Sequence, residues 1–255
     1  MPNLFLQMRD DADDVTPAPL NEAEALAVLG TAEIGSEQLI PWGSNYSFAV
    51  ALRTDEGRAQ LAIYKPQAGE APLYDFPEGT LYQREVAAYR LSRWLEWDLV
   101  PPTVVRDGPH GIGSLQLYIE PDPERTDSPR AWGACAPEIE RIVLFDHIAN
   151  NADRKIGHCL RDKQGKAWGI DHGLTFNHVP KLRTVLWQYV GEPISSELMD
   201  DLQRLVESEA EVRAELAPYL SEPELDAVFA RAGRLWATGR YPNLSSRRNV
   251  PYGWW

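Results

Sequence analysis

The sequence has little cysteine, no long apolar run and a deficit of positive charge. Two cysteines, Cys135 and Cys159, fit no zinc spacing and no disulfide framework, so a reducing compartment is the simplest setting. No stretch approaches the ~18 uninterrupted apolar residues of a membrane span. Met1 to Asp14 carries neither the basic n-region nor the apolar h-region of a signal peptide. A soluble, cytoplasmic protein is the expectation. Lys and Arg number 25 against 38 Asp and Glu, a net charge of −13. Nucleic-acid binders are normally basic, because phosphate neutralisation dominates their affinity. An anionic membrane surface would also repel this chain on average. A broad polyanion surface is therefore excluded, whereas one anionic ligand in a local basic pocket is not. No Gly-x-Ser-x-Gly elbow is present, which leaves Ser-His-Asp hydrolysis unsupported. His110, His147, His172 and His178 match no zinc spacing, and His147 reads as a core histidine within an apolar helix.

What is there suits a folded α+β protein. The 255 residues suffice for one large domain or two small lobes sharing a cleft, and nine tryptophans and ten tyrosines supply large apolar side chains. Residues 1–20, with four aspartates and three prolines, read as a flexible lead-in. Asn21 and Glu24 form a capping-box pattern for a helix through Leu29, with Gly30 as its stop. Leu39 to Trp42 leads into the loop Gly43 to Ser47. Two strand patterns follow, Phe48 to Arg53 and Ala59 to Lys65, around a turn at 54–58. After a loop with three prolines, Thr80 opens a helix to about Trp97. Strands are expected at Thr103 to Arg106 and Ser114 to Ile119. The N-terminal lobe thus spans 21–120. A polar, proline-rich link follows at 121–133, then a mainly helical lobe over 134–255. That second lobe opens with an apolar helix, Pro137 to Asn150. Short strands at Cys159 to Asp162 and Ala167 to Ile170, two or three helices over 195–238, and a tail with Trp254 and Trp255 complete it.

Four features occur in an order that phosphoryl transfer can use. Backbone N–H groups around Gly43, Ser44 and Asn45 suit a phosphate cradle, although a hairpin-entry turn has the same composition. Lys65 ends an apolar strand, where its ammonium can hold nucleotide phosphates, and Glu85 on the following helix can orient it. The turn from Asn150 to His158 follows a buried helix and gathers Asp153, Arg154 and Lys155. It can present a carboxylate to a hydroxyl and a basic group to a phosphate. Asp171, between an apolar strand and Gly173, is placed to coordinate a nucleotide-bound magnesium ion.

Asn151-Ala152-Asp153-Arg154, closely followed by Ile170-Asp171-His172-Gly173-Leu174, resembles the phosphatidylinositol 3- and 4-kinase group. The likeness is strongest to the type II 4-kinases and their bacterial relatives. Ile63-Tyr64-Lys65-Pro66 is similar to that group's nucleotide-lysine strand, and the resemblance spans roughly residues 40 to 180. It implies a two-lobed protein-kinase-like fold and an enzyme that moves the γ-phosphoryl group of ATP to an alcohol. Lys65 would bind phosphates and Glu85 would position it. Asp153 would orient or deprotonate the acceptor, and Asp171 would hold Mg2+ or Mn2+. Ser114 to Glu120, with Tyr118 and Ile119, would form the hinge that meets adenine. The family's catalytic loop normally closes with an asparagine where this chain has His158. Histidine there leaves several roles open: an altered second metal site that tolerates manganese, a donor to phosphate, or an inactive nucleotide-binding module. Transfer of AMP is a further alternative. A protein or small-molecule acceptor suits the acidity better than a lipid. The segment from Lys181 to Tyr189 reads as the equivalent of an activation segment packed on the helical lobe, although its cationic and aromatic residues also suit contact with a membrane or a substrate.

Overall fold

The computed structural model describes residues 20–41, 43–53, 59–122 and 137–252. The expected linker falls outside these residues except for Pro121 and Asp122, as do the turn at 54–58, Trp42, Cys135, Trp254 and Trp255. The chain divides into two units. The first runs to Val86 and resumes over Pro101–Tyr118. The second holds Ala87–Val100 and everything from Ile119.

Helix α1, Glu22–Thr31, opens the first unit. The Asn21 side chain accepts from the Glu24 N–H at 3.0 Å, and Glu24 accepts from the Asn21 N–H at 2.9 Å. This reciprocal box satisfies two donors that a helix start leaves orphaned. Gly30 does not stop the helix, as the sequence suggests it should. The chain leaves through Ala32 in an extended conformation, and no left-handed residue is required. The five strands are β1 Glu33–Leu39, β2 Phe48–Arg53, β3 Ala59–Pro66, β4 Thr103–Gly108 and β5 Gly111–Leu117. They form one antiparallel sheet in the order β1-β2-β3-β5-β4. Alternation sorts β2 into two faces. Val50 and Leu52 pack with Leu29, Ala62, Tyr64 and Leu115, and Ala49 and Ala51 pack with Leu61 on the other side. Strand β1 escapes the sequence pattern because five of its seven residues are exposed at the sheet edge.

Helix α2, Leu81–Trp94, starts one residue later and ends three residues earlier than its apolar pattern suggests. Glu96 and Asp98 take left-handed φ values of 60° and 46°. The Ser92 hydroxyl accepts from the Leu99 and Val100 N–H groups, at 2.8 and 3.1 Å. These bonds turn the chain back before another helical turn can form.

In the second unit, α3, Pro137–Ala149, is buried along almost its whole circumference from Ile139 onward. A hairpin of β6, Cys159–Arg161, and β7, Ala167–Gly169, follows. The remaining helices are α4 Ser196–Glu207, α5 Glu209–Leu216 and α6 Glu222–Thr238. Helix α6 begins with a second capping box, Ser221 with Glu224, and ends at left-handed Gly239. Burial pushes the Cys159 thiol up to about 11, so it is no nucleophile at neutral pH. No helix among the described residues is long and apolar enough to cross a membrane.

His147 is buried on α3, with its ring 5.5 Å from that of Tyr241. Burial lowers its pKa from 6.5 to about 4, only partly opposed by Asp146. The folded state therefore holds it neutral, and the unfolded chain binds the proton first. This contribution is complete above pH ~6.5 and is lost as pH falls toward ~4. Denaturant unfolding of wild type and His147→Gln across that window should show a steeper loss for wild type. Parallel curves would contradict this assignment.

Candidate functional site

In the first unit, Lys65 sits near the end of β3 and Glu85 one turn into α2, and their side chains form an ion pair. The Glu85 side chain is 2% exposed and that of Lys65 is 24% exposed. A carboxylate so far from water holds a cation in place, and the cation keeps access to solvent. Two neighbours fix the geometry. A Cβ at Gly113 would lie 2.4 Å from the Lys65 carbonyl, so glycine alone lets β5 approach the lysine this closely. Glu70 accepts from the Leu81 and Tyr82 N–H groups, at 3.0 and 2.8 Å, and so caps the start of the helix that carries Glu85. Burial raises the Glu70 pKa, and these two bonds oppose it.

The loop with Gly43, Ser44 and Asn45 joins β1 to β2, closed by the Ile40 N–H to Ser47 carbonyl bond. Asn45 Oδ1 accepts from the Ala71 N–H at 2.8 Å, and the Tyr46 N–H donates to the Gly69 carbonyl. The Asn45 side chain thus shapes the loop. Tyr118, expected at the hinge, donates its N–H to the Leu61 carbonyl at 3.1 Å, which commits that donor to the sheet. Ile119 follows as the residue at which the second unit resumes.

The catalytic-loop pattern of the second unit is built around Arg154, which is fully buried. Its Nε and one terminal nitrogen bond both oxygens of Asp146, at 2.8 and 2.9 Å. The other terminal nitrogen donates to the His158 and Ile170 carbonyls, at 3.0 and 3.1 Å. The last N–H meets His172 Nε2 at 2.9 Å. Every guanidinium N–H thus has an acceptor. Arginine cannot accept, so His172 Nε2 must, which puts the His172 proton on Nδ1. Arg154 is therefore a positioning residue. The expectation that it touches a ligand is corrected by its burial. Asn151 completes the scaffold: its side-chain amide donates to Asp146 and its Oδ1 accepts from the Asp153 N–H, both at 2.9 Å.

Asp153, Lys155, His158 and Asp171 lie around this scaffold. Asp153 pairs with Lys155 at 2.8 Å. Burial raises the Asp153 pKa, Lys155 and His158 oppose that, and Asp171 adds to it. His158 Nε2 lies 3.2 Å from Asp171 Oδ2, and its Nδ1 is buried with no hydrogen-bond partner. Burial lowers the His158 pKa, and Asp171 opposes this. The Asp171 side chain is about half exposed, on a backbone with φ 60°. No group of three or more metal-ligating side chains occurs among the described residues. One carboxylate beside an imidazole nevertheless fits a cation that arrives with phosphate oxygens of its own.

Sequence reasoning missed Asp146 and Glu70, and it gave His172, a member of the second motif, no role of its own. An aspartate inside the apolar run Ile142 to Ile148 was the available signal, because a buried charge must have a partner.

No family model matches the chain. Protein Rv2133c of Mycobacterium tuberculosis is 34% identical to it, over 89% of this chain and 94% of that protein. The chain belongs to the Rv2133c family. Among solved structures, hydra Fam20 with sugar matches this Rv2133c relative with TM-score 0.58 and 15% identity, covering 88% of this chain and 89% of that one. The Golgi casein kinase with Mn/ADP bound matches with TM-score 0.56 and 15% identity, covering 85% and 74%. At these identities the likeness establishes the fold. The Rv2133c relative has a protein-kinase-like α+β fold, with a β-rich N-terminal lobe and a mainly helical C-terminal lobe.

Arg154→Ala should destabilise the protein by about 3–5 kcal/mol, because it strands Asp146 in the core. Lys155→Ala, which removes a partly exposed pair, should cost below ~1 kcal/mol. Denaturant midpoints at constant m-value check both. Equal losses would contradict the scaffold role.

Proposed function

We propose that this member of the Rv2133c family is an ATP- and divalent-cation-dependent phosphotransferase of the phosphatidylinositol-kinase-like branch. It moves the γ-phosphoryl group to a hydroxyl of a protein or small molecule. The observation that carries this reading is the Lys65–Glu85 pair, a solvent-accessible lysine clamped by a buried carboxylate on a kinase-like sheet. Lys65 holds the nucleotide phosphates. Asp153 accepts the acceptor's proton as its oxygen attacks the γ-phosphorus. The β–γ bridging P–O bond breaks, and ADP leaves. The raised Asp153 carboxyl supports this role, since a base works best when its pKa approaches the ambient pH. Lys155, paired with Asp153, is set to meet the charge on the transferred group.

Asp171, with His158 beside it, would hold the nucleotide's metal ion, which supplies charge neutralisation on the phosphates. Imidazole suits Mn2+ better than Mg2+, and the Golgi casein kinase of similar fold carries manganese with ADP. The chain is therefore expected to favour manganese.

ATP labelled at the γ position should transfer its label, and ATP labelled at the α position should not. Asp153→Asn should lower transfer by about a hundredfold or more. Transfer of the α label would replace the kinase reading with AMP transfer. Nucleotide binding without transfer of either label would make the protein a nucleotide-binding module.

A further inference from the structure

The acidity of this chain is interrupted in two places, and the structure brings them together. Asp226 is the last acidic residue; residues 227–255 contain five arginines and no acid. Residues 172–191, which follow Asp171, contain Lys181 and Arg183 and likewise no acid. With 38 acidic residues in 255, two such stretches stand out from the rest of the chain.

The C-terminal arm is fastened to the segment after Asp171 by specific bonds. The Thr184 N–H donates to the Asn249 carbonyl at 2.9 Å, and the Asn249 side-chain amide donates to the Leu182 carbonyl at 2.6 Å. The Arg183 guanidinium lies over the Tyr252 ring, 4.9 Å from its centroid. A turn at Ser245 holds the arm's shape: the Asn249 N–H donates to the Ser245 carbonyl, and Asn249 Oδ1 accepts from the Ser245 N–H. Arg247 and Arg248 occupy that turn, and both are exposed. The same segment is fastened to the catalytic loop. The Arg154 N–H donates to the Arg183 carbonyl at 3.0 Å, and the Val185 N–H donates to the Arg154 carbonyl at 3.1 Å. A cationic strip is thus tied by backbone bonds to the residue next to Asp153.

Resting on the kinase reading above, we propose that Lys181, Arg183, Arg247 and Arg248 form the acceptor-binding face. This face selects a small alcohol that carries a phosphate or carboxylate group. Arginine suits such groups because its fork donates two parallel hydrogen bonds to them. The net charge of −13 argues for a small anion over an extended polyanion, which the rest of the surface would repel. The C-terminal arm then supplies specificity, through arginines that lie outside the catalytic loop.

Calorimetric titration of the full chain, holding a non-hydrolysable ATP analogue and Mn2+, tests this. The probes are glycerol 3-phosphate, glucose 6-phosphate and glycerate, against glycerol and glucose. At least one anionic alcohol should bind where its neutral parent does not. The double variant R247Q/R248Q should weaken that binding roughly tenfold or more, with analogue affinity unchanged. R234Q removes an exposed arginine of α6 outside the arm and should leave all affinities as they were. The proposal is overturned if no anionic probe binds while the analogue does. Equal binding of neutral and anionic alcohols, or a double variant that matches wild type, overturns it too. Failure to bind the analogue at all would remove the kinase reading, and this proposal with it.

Discussion

The buried pair of Asp146 and Arg154 is the constraint on which the rest of the second unit depends. Two charges out of water are tolerated only when each is paired and fully hydrogen-bonded, and here both conditions hold. The consequence is positional. One guanidinium joins helix α3, the catalytic-loop turn, the chain after β7 and His172. Asp153 and His158 leave the loop around this centre, and Asp171 leaves the chain just after it. Asp171, with φ 60°, lies between Ile170 and His172, both of which Arg154 holds. An aspartate tolerates the left-handed region at modest cost, and bonds on either side can hold it there.

The first unit solves a similar problem with fewer charges. Glu85 is almost fully buried, and the paired Lys65 ammonium offsets the cost of burying its charge. Glu70 adds a carboxylate at the α2 N-terminus, where orphaned N–H groups and the helix dipole both favour a negative charge. The pair's geometry therefore depends on the 66–79 loop as well as on β3. The prolines of that loop, which look like mere punctuation in the sequence, border a segment that fixes where the helix begins.

Much of the fold was legible because local chemistry and tertiary structure agree. Strand β2 lies where its apolar run places it, and the Asn21–Glu24 box forms as its spacing indicates. Helix α3 is buried on nearly every side from Ile139 onward and ends within a residue of its pattern. The failures share a cause. Strand β1 is defined by its ladder to β2, and its polar residues carry no period that a single strand can show. Gly30 and Trp97 misplaced helix ends because Ala32 in one case, and Ser92 in the other, decide where the chain turns. In the site, Lys65, Glu85, Asp153 and Asp171 stood out by residue type and order. The partners that orient them, Asp146 and Glu70, did not, because a supporting carboxylate has no motif until its acceptor geometry is seen. Arg154 shows the converse: its neighbours in sequence suggested contact with phosphate, and its burial assigns it to the scaffold.

The central claim is that this chain binds a nucleotide with its metal ion, through Lys65 on the phosphates and Asp171 on the cation. Thermal unfolding of wild type, Lys65→Ala and Asp171→Ala, with and without ATP and Mn2+ or Mg2+, tests it most directly. A ligand that binds only the folded state raises the melting temperature. The account predicts a metal-dependent rise for wild type, larger with manganese and lost in both variants. A folded wild-type protein with no rise under any of these conditions would contradict it.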